Sequence, residues 1–144
     1  MQAIAVGSRR PAVIRGNGHA LLADIGGTNA RFALADVAAP SPLLRDTIRT
    51  YAVADFPSLA AAAAHYVEAT HAQAGLGVFA VAGRVDGDEA RMTNHAWVIS
   101  ASRVRDALGL RALHLVNDFV AQSMAIRIPL MRALSGRILR RCVR

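Results

Sequence analysis

Short apolar runs separated by polar turns follow one another along the first third of the chain. Residues 20–26 and 30–37 are apolar runs on either side of a glycine pair, and residues 46–53 are rich in Thr, Ile, Tyr and Val. In the second run, Phe32 and Leu34 alternate with Arg and Ala residues, which is typical of a strand. Because short links join the three runs, the pattern predicts three strands in an antiparallel meander.

Beyond this meander, the pattern alternates predicted helices with predicted strands. Three helices are predicted: one from Pro57-Ser58 to near Gly75, one capped by Ser100 or Ser102 that runs through Leu108 and stops at Gly109, and one at 118–128. Two all-apolar runs, 77–83 and 112–116, predict buried strands, and Asp86-Gly87 predicts a turn between the first of them and a more polar segment, 89–100. The order β-β-β-α-β-α-β-α predicts a mixed sheet with helices on its faces, an α/β domain.

Composition is consistent with one folded domain, since the 144 residues are 53% hydrophobic and 19% charged. The formal net charge of +7 is unevenly placed: residues 20–126 carry eight Arg and ten acidic residues, whereas 1–19 and 127–144 carry three and six Arg and no acid. The basic character therefore belongs to the two ends. We expect no specific nucleic-acid partner.

Three features of the sequence limit the possible chemistry and cellular location of the chain. The chain has no lysine, which excludes a Walker-type phosphate loop and a Schiff-base mechanism. Its one cysteine, Cys142, cannot form an intrachain disulfide, which fits a reducing cytoplasm. No apolar run is long enough to span a bilayer. We expect a cytoplasmic protein without a membrane partner.

The glycine pair lies in a turn with two alternative interpretations. Gly26 and Gly27 can adopt backbone angles closed to other residues, and successive N–H groups in such a turn can bind an anion. Thr28 adds a hydroxyl, Asn29 tolerates a left-handed conformation, and Asp24 can hold a water on Mg²⁺. An ordinary hairpin turn explains the same residues. Composition alone leaves a phosphate-binding turn and a plain hairpin open.

Asn117 and Asp118 stand between a buried strand and a predicted helix, where ligands collect in open sheets. A carboxylate there can take a proton from a sugar hydroxyl that the neighbouring amide orients. Helix capping explains the same pair. In the segment 92–100, Asn94 and His95 can line a pocket, although a strand with a core tryptophan, Trp97, is the simpler interpretation.

Three segments in this order resemble the bacterial glucokinase family of the actin-like sugar-kinase superfamily. They read LLADIGGTNARFALADV, FAVAGRVDGDEARMTNHAWVIS and LHLVNDFVAQSMAI, and the resemblance covers roughly residues 20–129. It implies the amino-terminal lobe of an actin-like ATPase (ribonuclease H-like) fold, and transfer of the γ-phosphoryl group of Mg²⁺-ATP to glucose. Because the three segments occur together, the resemblance is far more specific than any one motif.

The resemblance also implies roles for individual residues. It implies an ATP phosphate loop formed by Ala23, Asp24, Ile25, Gly26, Gly27 and Thr28, supported by Asn29. Asp118 would be the general base on the 6-hydroxyl of glucose, Asn117 a glucose ligand, and Asn94 a substrate-binding residue near the sugar cleft. No protein side chain is expected to bind a metal directly; Asp24 would reach Mg²⁺ through water.

The resemblance divides the chain into three parts: an extension at 1–18, a glucokinase-like lobe at 19–129 and a basic tail at 130–144. Because likeness stops after Pro129 and the charge changes there, we expect a truncated or frameshifted reading frame. A lone lobe cannot close over its sugar, so little turnover is expected, and its uncovered surface favours homo-oligomers. A kinase for another hexose or amino sugar and a noncatalytic remnant remain alternatives.

Overall fold

Two sheets and two α-helices occupy residues 18–119, the part of the chain that the computed structural model describes. The elements in chain order are β1 (His19–Ile25), β2 (Asn29–Asp36), β3 (Leu43–Ala52), a short 3₁₀ helix (Val53–Asp55), α1 (Leu59–Thr70), β4 (Leu76–Val81), β5 (Gly83–Asp86), β6 (Glu89–Met92), β7 (Val98–Ser100), α2 (Ala101–Leu108) and β8 (Ala112–Asn117). The α/β class predicted from the sequence is confirmed.

The larger sheet has five strands in the order β3-β2-β1-β4-β8. The first three strands form the predicted antiparallel meander, in which β2 pairs with both β1 and β3. Strands β1, β4 and β8 are parallel to one another. Their carboxyl ends therefore meet at one edge of the sheet, which is where ligands bind in open α/β sheets.

The structure also contains a smaller antiparallel sheet, β5-β6-β7, which the hydrophobic pattern did not predict as a separate sheet. The predicted turn at Asp86-Gly87 is present, and Gly87 has a φ of 59°. The polar segment 89–100 is not one strand, because residues 93–97 bend between β6 and β7. The element order predicted from the sequence thus describes the main sheet and its helices and omits this insertion.

Both α-helices begin at the predicted serine caps. The Ser58 hydroxyl accepts the Ala61 N–H at 3.1 Å, and the Ser100 hydroxyl accepts the Arg103 N–H at 3.4 Å. The first helix ends earlier than the predicted Gly75, at His71, which has a left-handed φ of 52°. The second ends at Gly109, as predicted. Beyond Phe119, the predicted helix 118–128 lies outside the described residues.

The main core lies between the larger sheet and the two helices. Phe32 stacks on Tyr66 with ring centroids 5.4 Å apart and meets Phe79 edge-on at 6.2 Å. The Tyr66 hydroxyl donates to the Thr47 carbonyl at 2.9 Å, and burial raises the pKa of Tyr66. Because side chains alternate along β1, Ile25 faces this core while Asp24 lies on the opposite face of the sheet.

Asp88, in the turn between β5 and β6, connects the small sheet to the start of α2. Its carboxylate accepts the hydroxyls of Ser100 and Ser102, both at 2.8 Å, and the Ser102 N–H at 2.9 Å. Its backbone carbonyl accepts the Ala101 N–H at 2.7 Å. Hydrogen bonds from Ser102 and then Ser100 hold the pKa of Asp88 below its ordinary value.

We expect Asp88→Asn to lower the melting temperature at pH 7 and to lower it less as the pH falls through the folded-state pKa of Asp88. The pKa of Asp88 is lower in the folded chain than in the unfolded chain, so its contribution is present at neutral pH. That contribution is lost as the pH falls through the folded-state pKa. Thermal unfolding of both proteins from pH 7 to pH 2 measures the difference.

The matched control is Asp86→Asn, which removes a carboxylate of the same hairpin that forms an exposed 4.0 Å ion pair with Arg84. This control should show nearly the same melting temperature as the parent at every pH. A melting difference for Asp88→Asn that stays constant down to pH 2 would show that its carboxylate charge contributes nothing.

Candidate active site

The ends of three parallel strands form a row across the sheet. Ile25 pairs with Val81, and Val81 pairs with Asn117. Two inter-strand spacings place the end of β1 about 10 Å from the end of β8. The Ala82 N–H donates to the Ile25 carbonyl at 2.8 Å, which extends the β1–β4 connection by one residue. The glycine turn and Asp118 therefore follow the ends of two strands, β1 and β8, that flank β4 at the same edge of the sheet.

The glycine turn, residues 26–29, is a hairpin connection between β1 and β2. The Gly26 N–H donates to the Asn29 carbonyl at 2.9 Å, and the Thr28 carbonyl accepts the Val53 N–H at 2.9 Å. Neither Gly26 nor Gly27 has a φ in the left-handed region. The expectation that these glycines supply backbone angles closed to other residues is therefore wrong. There must be another reason why position 27 is a glycine.

That reason is the close approach of the loop 93–97 to the turn. A Cβ atom at Gly27 would lie 3.0 Å from the Asn94 Cβ, whereas one at Gly26 would meet only the Asn29 carbonyl oxygen at an ordinary 3.5 Å. The Thr93 N–H donates to the Ala82 carbonyl at 3.2 Å, which holds the loop beside the sheet edge. The structure thus brings Asn94 into contact with the predicted phosphate turn.

The tip of the turn offers unpaired donors. Within residues 18–119, the N–H groups of Gly27 and Thr28 donate to no protein acceptor, and Thr28 and Asn29 are exposed. Successive N–H groups in a turn are the donors that bind anions in backbone nests. A hairpin and an anion site are therefore compatible here, because the hairpin connection uses the N–H of Gly26 and not those of the next two residues.

Asp24 and Arg31 are paired directly across the β1–β2 hairpin, and both are exposed. The sequence pattern indicated a role for Asp24 and none for Arg31. The pairing can be found from the sequence, because the two residues are equally distant from the centre of the turn between Gly27 and Thr28. In a chain without lysine, Arg31 is the cation that the strand register places opposite the carboxylate at the end of β1.

Asn117 has the hydrogen bonds of a capping residue. Its Nδ2 donates to the Gly83 carbonyl, and its Oδ1 accepts the Phe119 N–H at 2.9 Å. The Asp118 Oδ1 accepts the same N–H at 2.9 Å. The capping role considered for Asn117 is therefore present. Asp118 is half-buried, and its carboxylate retains lone pairs for a further donor, because a carboxylate has about four acceptor positions.

Trp97 is a core residue, 7% exposed, as the simpler interpretation predicted. It lies in the bend before β7 and not in a strand, so the strand prediction is wrong for this residue. Its backbone N–H donates to the His95 Nδ1 at 3.2 Å, and the two rings meet edge-on with centroids 5.0 Å apart. The indole therefore anchors the loop that carries Asn94.

Residues 18–119 contain no group of three or more His, Cys, Asp or Glu side chains that could hold a metal ion. Asp24 is a single exposed carboxylate beside the turn, and oxygen donors of this kind suit Mg²⁺ bound partly through water. In the same residues, no helix has both the length and the apolar character needed to cross a membrane.

Comparison with known proteins identifies one family. The glucokinase family model matches residues 21–135. A glucokinase of Stenotrophomonas maltophilia (strain K279a) is 66% identical over 108 residues, which are 75% of this chain and 32% of that protein. A glucokinase of Xanthomonas oryzae pv. oryzae (strain MAFF 311018) has the same identity and coverage. The chain thus spans about a third of the length of the curated relatives it matches.

Solved structures agree with the sequence comparison. The crystal structure of a glucokinase from an Antarctic psychrotroph superposes with a TM-score of 0.68 at 36% identity, over 78% of this chain and 36% of that one. A glucokinase from Balamuthia mandrillaris, crystallised with glucose, has a TM-score of 0.57 at 23% identity, over 77% of this chain and 32% of that one. The second likeness concerns the fold alone.

We expect Gly27→Ala to reduce the free energy of unfolding by about 1 kcal/mol, since the added methyl group must displace the loop at Asn94. Gly26→Ala is the matched control, because its methyl group fits at an ordinary distance. Urea unfolding of both variants measures the difference.

A double-mutant cycle with Asn94→Gly tests the contact itself. Removing the Asn94 side chain should restore at least half of the stability that Gly27→Ala loses, because the clash is between the two Cβ atoms. Strictly additive effects of Gly27→Ala and Asn94→Gly would contradict the contact.

Proposed function

This chain belongs to the glucokinase family, and from that premise we propose that it forms the part of an ATP-dependent glucokinase that holds the phosphates of ATP and the reacting hydroxyl of glucose. The observation that carries the proposal is the strand row Ile25–Val81–Asn117. It places a half-buried carboxylate, Asp118, at the same edge of the sheet as a turn with two amide donors that no acceptor in the described part of the chain uses.

In this proposal, residues 23–29 bind the phosphates of ATP. The N–H groups of Gly27 and Thr28 donate to phosphate oxygens, and the exposed Thr28 hydroxyl is a further donor. Asp24 holds a water of Mg²⁺, and the ion when bound neutralises charge on the phosphates. Arg31, across the hairpin from Asp24, adds positive charge on the same face. The chain's own contribution is positioning and electrostatic stabilisation.

Asp118 is the general base in this proposal. Its carboxylate accepts the proton of the 6-hydroxyl of glucose as that oxygen attacks the γ-phosphorus of ATP, the bond from this phosphorus to the β–γ bridging oxygen breaks, and ADP leaves. Asn117 has a second amide hydrogen and a second lone pair beyond its bonds to the Gly83 carbonyl and the Phe119 N–H, so it can cap the chain and bind the sugar as well. Asn94 lines the sugar side of the turn that it contacts. The proposed reaction is cytoplasmic, as expected for glucose phosphorylation.

A chimera tests the proposal, because this chain spans about a third of its relatives. The 108 aligned residues replace the corresponding segment of the Stenotrophomonas maltophilia glucokinase, and ADP formation is followed with glucose, other hexoses and amino sugars. We expect glucose-dependent turnover close to that of the parent enzyme. Asp118→Asn in the chimera should lower kcat by roughly 10²–10⁴-fold with a smaller change in KM, as loss of a general base does.

Two further arms make the result decisive. The 144-residue chain alone should show little turnover, since remote binding energy helps to create the reacting geometry. Asp55→Asn, a change of an exposed carboxylate in the short 3₁₀ helix, is the matched control and should leave kcat unchanged. A chimera that folds but does not phosphorylate glucose, or one in which Asp118→Asn keeps its kcat, would overturn the proposal.

A further inference from the structure

His95 forms a hydrogen bond that the proposed chemistry does not use. Its Nδ1 accepts the backbone N–H of Trp97, two residues further along the chain, at 3.2 Å. This is the geometry in which an Asn or Asp side chain closes an Asx turn, with the imidazole nitrogen in place of the carbonyl oxygen.

The closed turn lies between two fixed points. On one side, Trp97 is buried in the main core, and its carbonyl accepts the Met92 N–H at 3.5 Å across the base of the loop. On the other side, the Thr93 N–H donates to the Ala82 carbonyl at 3.2 Å. Asn94, His95 and Ala96 lie between these attachments, so the hydrogen bond from Trp97 to His95 constrains the short segment that carries Asn94.

We propose that His95 is a positioning residue that connects the core tryptophan to the glycine turn. By accepting the Trp97 N–H, it closes the loop so that Asn94 packs against Gly27 and holds the turn in the shape in which the Gly27 and Thr28 N–H groups are free. Its effect on ATP rests on the function proposed above. Its effect on the loop and the turn does not.

The geometry predicts which substitutions preserve this role. Asparagine at position 95 can accept an N–H two residues ahead through its side-chain oxygen, and so can close the same turn. Leucine has a comparable volume and no acceptor. His95→Asn and His95→Leu therefore separate the hydrogen bond from the space that the ring fills. His114→Leu, a change of an exposed histidine on β8, controls for the loss of an imidazole.

Three readouts on the 144-residue chain follow the loop without requiring activity. Amide hydrogen exchange is measured at Trp97 and at Phe79 in the core, and NMR chemical shifts are measured at the Gly27 and Thr28 amides. Acrylamide quenching reports the exposure of Trp97, which is the one tryptophan in the chain. A separate calorimetric titration with Mg²⁺-ATP gives the dissociation constant of the nucleotide.

His95→Leu should speed amide hydrogen exchange at Trp97 by about fivefold, which is the factor expected when one ordinary hydrogen bond is lost. It should also increase quenching, shift the Gly27 and Thr28 signals, and weaken Mg²⁺-ATP binding by a similar factor. Amide exchange at Phe79 should stay unchanged, which would show that the variant alters the loop and not the global stability. His95→Asn and His114→Leu should remain within about twofold of the parent in every readout.

Asn94→Gly supplies a second variant that leaves His95 intact. It should shift the Gly27 and Thr28 signals and leave exchange at Trp97 unchanged, because it removes the contact with the turn and keeps the loop closed. The proposal is overturned if His95→Leu leaves the Trp97 and Gly27 signals at parent values, or if His95→Asn changes them as much as His95→Leu does. A parent chain that does not bind Mg²⁺-ATP would count against the proposed function alone, since the exchange and chemical-shift results still decide the role of His95.

Discussion

The parallel register of β1, β4 and β8 is the constraint on which the site depends. It aligns Ile25, Val81 and Asn117 in one row, so that the turn after β1 and the carboxylate after β8 reach the same edge of the sheet. The buried helix-covered face fixes that register, because a slip of one residue would move Ile25 and Val81 out of the main core. The core therefore sets the spacing of the proposed catalytic groups.

A second constraint acts across the edge of the sheet. The loop 93–97 belongs to the small sheet insertion, is anchored by Trp97, and places Asn94 against Gly27. A glycine is needed there for space and not for an unusual φ. The insertion therefore supplies the surface against which the turn packs, while two N–H groups at the tip of the turn donate to no acceptor within residues 18–119.

Local patterns predicted the features that local physics controls. The meander, the serine caps and the stop at Gly109 follow from alternation, side-chain acceptors and a left-handed residue. The split of 89–100 into two strands and the reason for Gly27 were missed, because each depends on contacts between distant parts of the chain. At Asn117 the alternatives of cap and ligand were not exclusive, since one amide has enough donors and acceptors for both.

The proposed function requires that the turn at residues 26–29 binds the phosphates of ATP. An NMR titration of the 144-residue chain with Mg²⁺-ATP, following backbone amides, tests it most directly. If the turn binds these phosphates, the Gly27 and Thr28 signals shift saturably, and the signal of Gly87, a glycine in the turn between β5 and β6, does not shift. Unchanged Gly27 and Thr28 signals at saturating Mg²⁺-ATP would contradict it.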